Sequence, residues 1–125
     1  MNNKIEKKKT LFIIGLPGCG KTTLSKILAK YLNYNFYDLD LIIEEKEKMK
    51  ISQIFEIRGE KYFREKESEI LEELSELKNA VVSTGGGIVL AQKNRDIMKK
   101  KGITIFINRN PETLLNNIDA SERPL

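Results

Sequence analysis

The sequence predicts one α/β domain with three layers, in which helices cover both faces of a parallel β-sheet. Short apolar runs alternate with segments of helical periodicity along the 125 residues, without repeats or linker-like tracts. A glycine-rich turn follows the first apolar run and leads directly into the first helical segment. Strands that alternate with helices imply right-handed crossover connections and a parallel sheet. Ligands of such sheets bind beyond the carboxyl ends of the strands.

Four strands are predicted from short apolar runs that are bounded by glycine, by polar residues or by a change of periodicity. They are residues 11–14, 36–38, 80–83 and 103–107. Six helices are predicted from apolar residues at helical spacing, several of them with glycine or proline near an end. They are residues 22–31, 41–49, 52–57, 60–77, 92–101 and 111–118.

Some helices carry signals for their ends and for their buried faces. Ser52 is a candidate N-cap for the third helix, and Gly59 should end that helix. The apolar face of the first helix consists of Leu24, Ile27, Leu28 and Tyr31. The inward residues of the long fourth helix are Phe63, Ile70, Leu71 and Leu74. We expect both faces to pack in the interior.

The composition narrows the class of protein. Hydrophobic residues make up 40% of the chain and charged residues 32%, as in an ordinary globular protein, and no apolar run is long enough to span a membrane. The absence of histidine excludes histidine general bases and Ser-His-Asp chemistry. The lone Cys19 cannot form an internal disulfide, which agrees with a reducing compartment. We therefore expect a cytoplasmic protein with no membrane partner, and a monomer.

The net charge of +4 arises from lysines that are scattered among glutamates. This pattern is typical of a solvated surface and not of a nucleic-acid interface, which would carry a basic stripe or a recognisable binding motif. We expect no nucleic-acid partner.

The glycine-rich turn at residues 15–22, GLPGCGKT, matches the phosphate-binding pattern G-x-x-x-x-G-K-[ST] at every constrained position. In such a loop the backbone amides surround phosphate, Lys21 reaches the β- and γ-phosphates, and Thr22 binds Mg²⁺. A glycine turn with an incidental lysine is the alternative, but the strand before it and the helix after it favour the phosphate loop. A dinucleotide-binding loop would have G-x-G-x-x-G spacing, which is absent. The expected nucleotide contacts are Gly18, Cys19, Gly20, Lys21, Thr22 and Thr23.

Two further motifs follow predicted strands and should reach the same cleft. Asp38 and Asp40 lie two residues apart where the second strand ends, and in extended geometry both would point the same way, one toward Mg²⁺ and the other toward an acceptor hydroxyl. Polar residues of an ordinary loop are the alternative. Gly85, Gly86 and Gly87 follow the third strand, where they form either a flexible turn or a surface that a ligand approaches closely, and we favour the second.

The residues alone leave the roles of two arginines undecided. Arg64 lies one helical turn from Glu60 and from Glu67, so the spacing favours a surface ladder of ion pairs over a ligand-binding arginine held by carboxylates. Arg123 lies before Pro124 near the last residue, either in a frayed tail or in a lid that supplies positive charge to a transferring phosphoryl group.

Taken together, these motifs resemble the shikimate kinase family, a branch of the nucleoside monophosphate kinase-like P-loop enzymes. The matching segments, in the family's order and at similar spacing, are GLPGCGKTT (15–23), FYDLDLIIE (36–44), IFEIRGEKYFREKE (54–67), STGGG (83–87) and RPL (123–125). The resemblance implies a P-loop fold with five strands, four of them within this chain. It also implies that ATP and shikimate are converted to ADP and shikimate 3-phosphate.

The resemblance also implies a role for individual residues. Lys21 and Thr22 would handle the phosphates of ATP and Mg²⁺, Asp38 would assist the metal, and Asp40 would hold and orient or deprotonate the attacked hydroxyl. Arg64 would bind the shikimate carboxylate, which reverses the interpretation from spacing. The other residues implied at the site are Arg123 as the lid arginine, the backbone of Gly85, Gly86 and Gly87, and the apolar walls Phe55 and Phe63.

The chain also departs from the family pattern. Asn116 and Asn117 stand where members usually carry an arginine that packs on adenine. The family continues with the rest of the lid, a fifth strand, an adenine-contacting loop, a second carboxylate-binding arginine and a final helix, so we expect residues 1–125 to be one kinase domain that is incomplete at its C-terminus. A gluconate-kinase-like small-molecule kinase and a non-catalytic nucleotide-binding module are the alternatives.

Overall fold

A computed structural model of the protein describes residues 10–15 and 21–107, with side chains in the second range described from residue 23 onward. Its elements are β1 (Thr10–Gly15), α1 (Lys21–Leu32), β2 (Asn35–Asp38), α2 (Leu39–Glu47), α3 (Ile51–Arg58), α4 (Glu60–Ser75), β3 (Ala80–Ser83), a 3₁₀ helix (Gly86–Leu90), α5 (Gln92–Lys101) and β4 (Gly102–Ile107). The helix expected at residues 111–118 lies outside the described residues. In the described ranges no helix is long and apolar enough to cross a membrane.

The four strands form one sheet in the order β2-β3-β1-β4, and every neighbouring pair is parallel. This confirms the α/β class and the parallel sheet expected from the alternation of strands and helices. The register places Asp38 beside Ser83 and Ser83 beside Ile13. The carboxyl ends of β1, β2 and β3 therefore lie side by side, so the segments that follow these strands begin at one edge of the sheet.

The core lies on both faces of the sheet because alternate residues of β1 point to opposite sides. Phe12 and Ile14 pack in a large cluster with residues of α2, α3, α4 and α5, whereas Ile13 packs in a smaller cluster with Ala29 of α1. The inward residues predicted for α4 are all buried in the larger cluster. The result is the expected arrangement of helix, sheet and helix layers.

The buried face of α1 differs from the predicted one. Leu24 and Leu28 pack against the smaller cluster as expected, but Ile27 is 46% exposed and Tyr31 is 85% exposed. Ser25 and Ala29 are buried in their place. Small residues let a helix approach a sheet closely, and a search for large apolar residues overlooks them.

The start of α3 also differs from the prediction, because Ser52 is not its N-cap. Lys50 precedes the helix, and its backbone N–H donates to Oε1 of Gln53 at 2.9 Å. The backbone N–H of Ile51 donates to Oε2 of Glu44 at 3.0 Å. Side chains from α2 and from the first turn of α3 thus satisfy amides that have no partner within the helix. Gly59 ends α3 as predicted.

Candidate active site

The end of β3 is held against the end of β1, immediately before the two glycine-rich segments. The backbone N–H of Thr84 donates to the carbonyl of Ile13 at 2.9 Å, and the buried Thr84 hydroxyl donates to the same oxygen at 3.2 Å. Gly85 is consequently fixed close to Gly15, where the phosphate-binding pattern begins.

Asp38 and Asp40 lie at the same edge but not in the same kind of backbone. Asp38 is the last residue of β2 and caps α2, with Oδ1 accepting from the backbone N–H of Leu41 at 3.2 Å. Asp40 already lies in the first turn of α2. The expectation that both carboxylates project from one extended strand was therefore wrong, because the extended backbone ends at Asp38.

The carboxylate of Asp40 nevertheless faces the glycine segment. A Cβ atom built on Gly85 would lie 3.5 Å from Oδ2 of Asp40, which is an ordinary van der Waals distance. Asp40 and the backbone of Gly85 thus border the same space.

Arg64 is held by carboxylates on both sides and by aromatic rings. Its Nη1 donates to Oε1 of Glu67 at 2.9 Å, and its Nε donates to Oε2 of Glu60 at 3.4 Å. Its guanidinium carbon lies 5.2 Å from the ring centre of Phe63 and 6.0 Å from that of Phe55. These contacts fix the plane of the guanidinium, which a flexible surface ladder would not do.

Glu67 distinguishes this cluster from a surface ion pair, because it is only 1% exposed. Burial raises the pKa of Glu67, Arg64 acts against that rise, and the nearby Asp40 adds to it. For Arg64, burial lowers the pKa, but the hydrogen bonds and charges of Glu67 and Glu60 together outweigh it, so the pKa of Arg64 is raised. The guanidinium is therefore a permanent cation at the site.

The triple glycine approaches Arg64 more closely than any other residue type could. A Cβ atom built on Gly87 would lie 2.6 Å from Nη1 and 2.7 Å from Nη2 of Arg64. Such distances are shorter than van der Waals contact, so only glycine fits here without displacing the arginine. The group that lies close to the glycine backbone is thus the side chain of Arg64, and the close approach of a ligand to the same backbone stays a prediction.

A cavity of about 250 Å³ lies between these groups. Its lining residues are Gly15, Asp40, Ile51, Phe63, Arg64, Glu67, Gly85, Gly86 and Gly87. The structure thus brings together Asp40, Arg64 and the three glycines, which were predicted to bind substrate, and the predicted wall residue Phe63. The other predicted wall residue, Phe55, does not line the cavity but packs against the ring of Phe63. The structure also adds Glu67 and Ile51 to the site.

The burial of Glu67 at the site could have been inferred from the sequence. Glu67 lies four residues after Phe63 and four before Leu71, both buried, so it occupies the inward face of α4. A glutamate in the middle of an apolar helical face needs a partner, and Arg64, three residues earlier, is a cation at the spacing that places two side chains together on a helix. Ile51 carried no comparable signal, since its position depends on how α3 packs.

The predicted nucleotide contacts are only partly described. Gly18, Cys19, Gly20 and Arg123 lie outside the described residues. Lys21 and Thr22 begin α1, and Thr23 is exposed in its first turn. Among the residues that the structure describes, no three His, Cys, Asp or Glu side chains form a metal-binding group.

Comparison with known proteins shows that the chain is similar to a family of small-molecule kinases. The family model for shikimate kinase matches residues 17–125. Shikimate kinases from Alkaliphilus oremlandii and Clostridium botulinum (strain Eklund 17B) are 49% and 47% identical. Each alignment covers 94% of this chain, and the chain spans 70% and 71% of those proteins.

Solved structures give the same result. Shikimate kinase from Acinetobacter baumannii in complex with shikimate is 36% identical with a TM-score of 0.81, over 97% of this chain and 68% of that one. Shikimate kinase from Aquifex aeolicus is 42% identical with a TM-score of 0.76, over 85% of this chain and 63% of that one.

Proposed function

The chain belongs to the shikimate kinase family, whose members transfer a phosphoryl group from ATP to shikimate, and from this premise we propose which residues carry the reaction. The observation that carries the proposal is the cavity in which Arg64, fixed by a buried Glu67, faces Asp40 and the triple glycine. Its 250 Å³ is smaller than the roughly 300–1,000 Å³ of sites for drug-sized ligands, which suits a small acid.

Arg64 would bind the carboxylate of shikimate. Its hydrogen bonds to Glu60 and Glu67 use Nε and Nη1, and a guanidinium has further N–H donors that can point into the cavity. Guanidinium and carboxylate pair through parallel hydrogen bonds, which fixes the orientation of the ligand as well as its position. Phe63 would form the apolar wall, and Phe55 would support it through an edge-to-face contact of the two rings at 4.9 Å.

Asp40 would bind the shikimate hydroxyls and orient the 3-hydroxyl for attack. Its carboxylate borders Gly85, so a hydroxyl lying on the glycine backbone is within its reach. An ionised carboxylate accepts hydrogen bonds and can take the proton that the hydroxyl loses as it attacks the γ-phosphorus. The backbone amides of Gly85, Gly86 and Gly87 would complete the pocket.

The phosphate donor would bind at the start of α1, beyond the carboxyl end of β1. The helix begins at Lys21, at the end of the predicted phosphate loop, and the positive end of a helix dipole favours phosphate there. The backbone of Gly18, Cys19 and Gly20, with Thr23, would hold the phosphates, and Lys21 would neutralise charge on the transferring group. Arg123 would add a second cation, and a closed lid would exclude water.

Magnesium is expected with the nucleotide, and the donors available fit it. Mg²⁺ in kinases takes one or two protein oxygens and completes its shell with phosphate and water, so a three-carboxylate cluster is unnecessary. Asp38 offers a half-buried carboxylate at the strand end, and Thr22 would add its hydroxyl. When bound, the ion would neutralise charge on the β- and γ-phosphates.

The full-length protein should release ADP from MgATP when shikimate is added, and not when gluconate is added. A preference for gluconate would favour the related sugar-acid kinase. Binding of MgATP without turnover of either acid would favour a non-catalytic nucleotide-binding module.

The remaining expectations are part of the same proposal. They are a single kinase domain over residues 1–125, a monomer that acts on a small molecule without nucleic acid, and a cytoplasmic location. The small-molecule substrate is supported by the family and by the Acinetobacter baumannii complex with shikimate. The lone cysteine supports the reducing compartment.

A further inference from the structure

A buried polar contact joins the helix that carries Arg64 to the segment that follows the triple glycine. The hydroxyl of Ser68 in α4 donates to Oδ1 of Asn94 in α5 at 2.7 Å. The Nδ2 of Asn94 donates to the backbone carbonyl of Ile88 at 3.0 Å. Ser68 is 5% exposed and Asn94 is 1% exposed, so neither exchanges these bonds for water. Polar groups at such depth are retained only when their hydrogen bonds are satisfied.

This contact reaches the part of the backbone that lines the cavity. Ile88 directly follows Gly87, and both belong to the 3₁₀ helix Gly86–Leu90. A 3₁₀ helix has poor internal hydrogen-bond geometry, so its position depends on outside contacts. The next carbonyl, that of Val89, accepts a hydrogen bond from Arg95, again in α5. Helix α5 therefore sets where the glycine segment lies.

The other end of the contact reaches the arginine. Ser68 is one helical turn after Arg64 and adjacent to Glu67, so it belongs to the turn of α4 that holds the guanidinium. Asn94 thus bonds to a neighbour of each side of the cavity: to the hydroxyl of Ser68, one turn after Arg64, and to the carbonyl of Ile88, which follows Gly87.

The distance between the guanidinium of Arg64 and the backbone of Gly87 can change only slightly. The guanidinium lies so close to Gly87 that a Cβ atom there would be 2.6 Å from Nη1. Building on the proposed function, we propose that Ser68 and Asn94 are positioning residues for the shikimate site. They set the separation of Arg64 from the backbone of Gly87, and with it the affinity for shikimate, without contacting substrate.

Ser75 provides a matched control for this role. It is also a buried serine of α4, but its hydroxyl donates to the carbonyl of Glu72 within the same helix at 2.7 Å. Ser68→Ala and Ser75→Ala each remove one hydroxyl from a buried site in one helix. Only Ser68→Ala removes a hydrogen bond to α5, the one from Ser68 to Asn94.

The test is steady-state kinetics of the full-length enzyme, with shikimate and MgATP varied separately. Because displacing a binding group by about 1 Å can cost as much as a hundredfold, Ser68→Ala should raise the KM for shikimate by about tenfold. The KM for MgATP should change by less than about twofold. Ser75→Ala should leave both KM values unchanged while lowering the unfolding temperature by a similar amount.

Asn94→Asp is the second variant. It keeps an acceptor for Ser68 but turns a carboxylate oxygen toward the Ile88 carbonyl in place of the Nδ2 donor. It should raise the KM for shikimate more than Ser68→Ala does, again without a matching change for MgATP.

Two results would overturn the inference alone: equal shikimate KM values in the two serine variants, or a parallel rise of both KM values in Asn94→Asp. An unmodified enzyme that does not turn over shikimate would overturn the proposed function, and this inference with it.

Discussion

The contact between Gly87 and Arg64 gives the sharpest test of the proposed shikimate site. In Gly87→Ala the new methyl group would lie 2.6 Å from Nη1, 2.7 Å from Nη2 and 2.9 Å from Cζ of Arg64. Carbon makes ordinary contacts at about 3.5–4.0 Å, so the guanidinium or the glycine backbone must move by about 1 Å. Since the methyl meets the far end of a side chain, we expect the arginine to move.

The movement would break the 2.9 Å hydrogen bond from Nη1 to Glu67 and turn the guanidinium away from the substrate carboxylate. A hydrogen bond between the guanidinium and the substrate carboxylate joins two charged groups, and its loss costs about 1.5–3 kcal/mol. At 1.4 kcal/mol for each factor of ten, we expect the KM for shikimate to rise by about tenfold to a hundredfold. The KM for MgATP should stay within about twofold.

The assay is ADP release with shikimate and MgATP varied separately, together with the unfolding temperature. The unfolding temperature should fall, because losing the hydrogen bond from Arg64 to the buried Glu67, at about 1.5–3 kcal/mol, outweighs the roughly 0.4–1 kcal/mol that alanine contributes by restricting the unfolded chain. Arg64→Ala provides the control background, in which Gly87→Ala should add no further loss. A normal shikimate KM in Gly87→Ala, or an equal loss in the Arg64→Ala background, would refute the reasoning.

Three further predictions concern single residues. Lys21→Ala should abolish phosphoryl transfer while the circular dichroism spectrum stays unchanged; unchanged turnover would exclude the phosphate loop from the mechanism. Asp40→Asn should reduce kcat with shikimate by about a hundredfold or more but leave MgATP affinity, measured by calorimetry, nearly unchanged; equal losses would contradict its role. Burial raises the pKa of Glu67, so the folded enzyme binds this proton more tightly than the unfolded chain does, and the associated stability is lost as pH rises through the raised pKa. Glu67→Gln has no carboxyl group to ionise, so it does not lose this stability. The unfolding temperature of Glu67→Gln minus that of the unmodified enzyme should therefore increase as the pH rises from about 4 until Glu67 is ionised. A difference that shrinks with rising pH would contradict this.

Most of the fold could be predicted because its signals are local. Each strand is a short apolar run bounded by a turn residue, and the four predicted strands agree with the observed ones to within one residue. The errors arose where neighbouring elements decide the outcome. Ser52 has the chemistry of a cap, but Gln53 and Glu44 satisfy the first amides of α3. In α1, the small residues Ser25 and Ala29 are buried because the helix lies close to the sheet, and Tyr31 is exposed.

The candidate site was less accessible to sequence reasoning, because its geometry depends on burial. The spacing of Arg64 with Glu60 and Glu67 is the same in a solvated ladder and in a binding site. The burial of Glu67 separates the two cases. Its spacing to Phe63 and Leu71 indicates an inward position, but the spacing of the charges alone does not. The 3₁₀ helix that begins at Gly86 is likewise held by contacts with α5, and the sequence of residues 86–90 alone does not indicate it.

The charges that line the cavity explain why position matters so much at this site. Within the described residues, the charged side chains of the lining are Asp40, Arg64 and Glu67, so carboxylates outnumber the cation. These side chains together would not attract an anionic acid from a distance. Among these three side chains, attraction comes from direct, charge-assisted hydrogen bonds to Arg64, which weaken steeply when their distance or angle changes. The affinity for shikimate should therefore depend more on the placement of Arg64 than on the surrounding charge. Changes that move the guanidinium, such as Gly87→Ala, should then raise the shikimate KM more than removal of the exposed Glu60 carboxylate by Glu60→Gln.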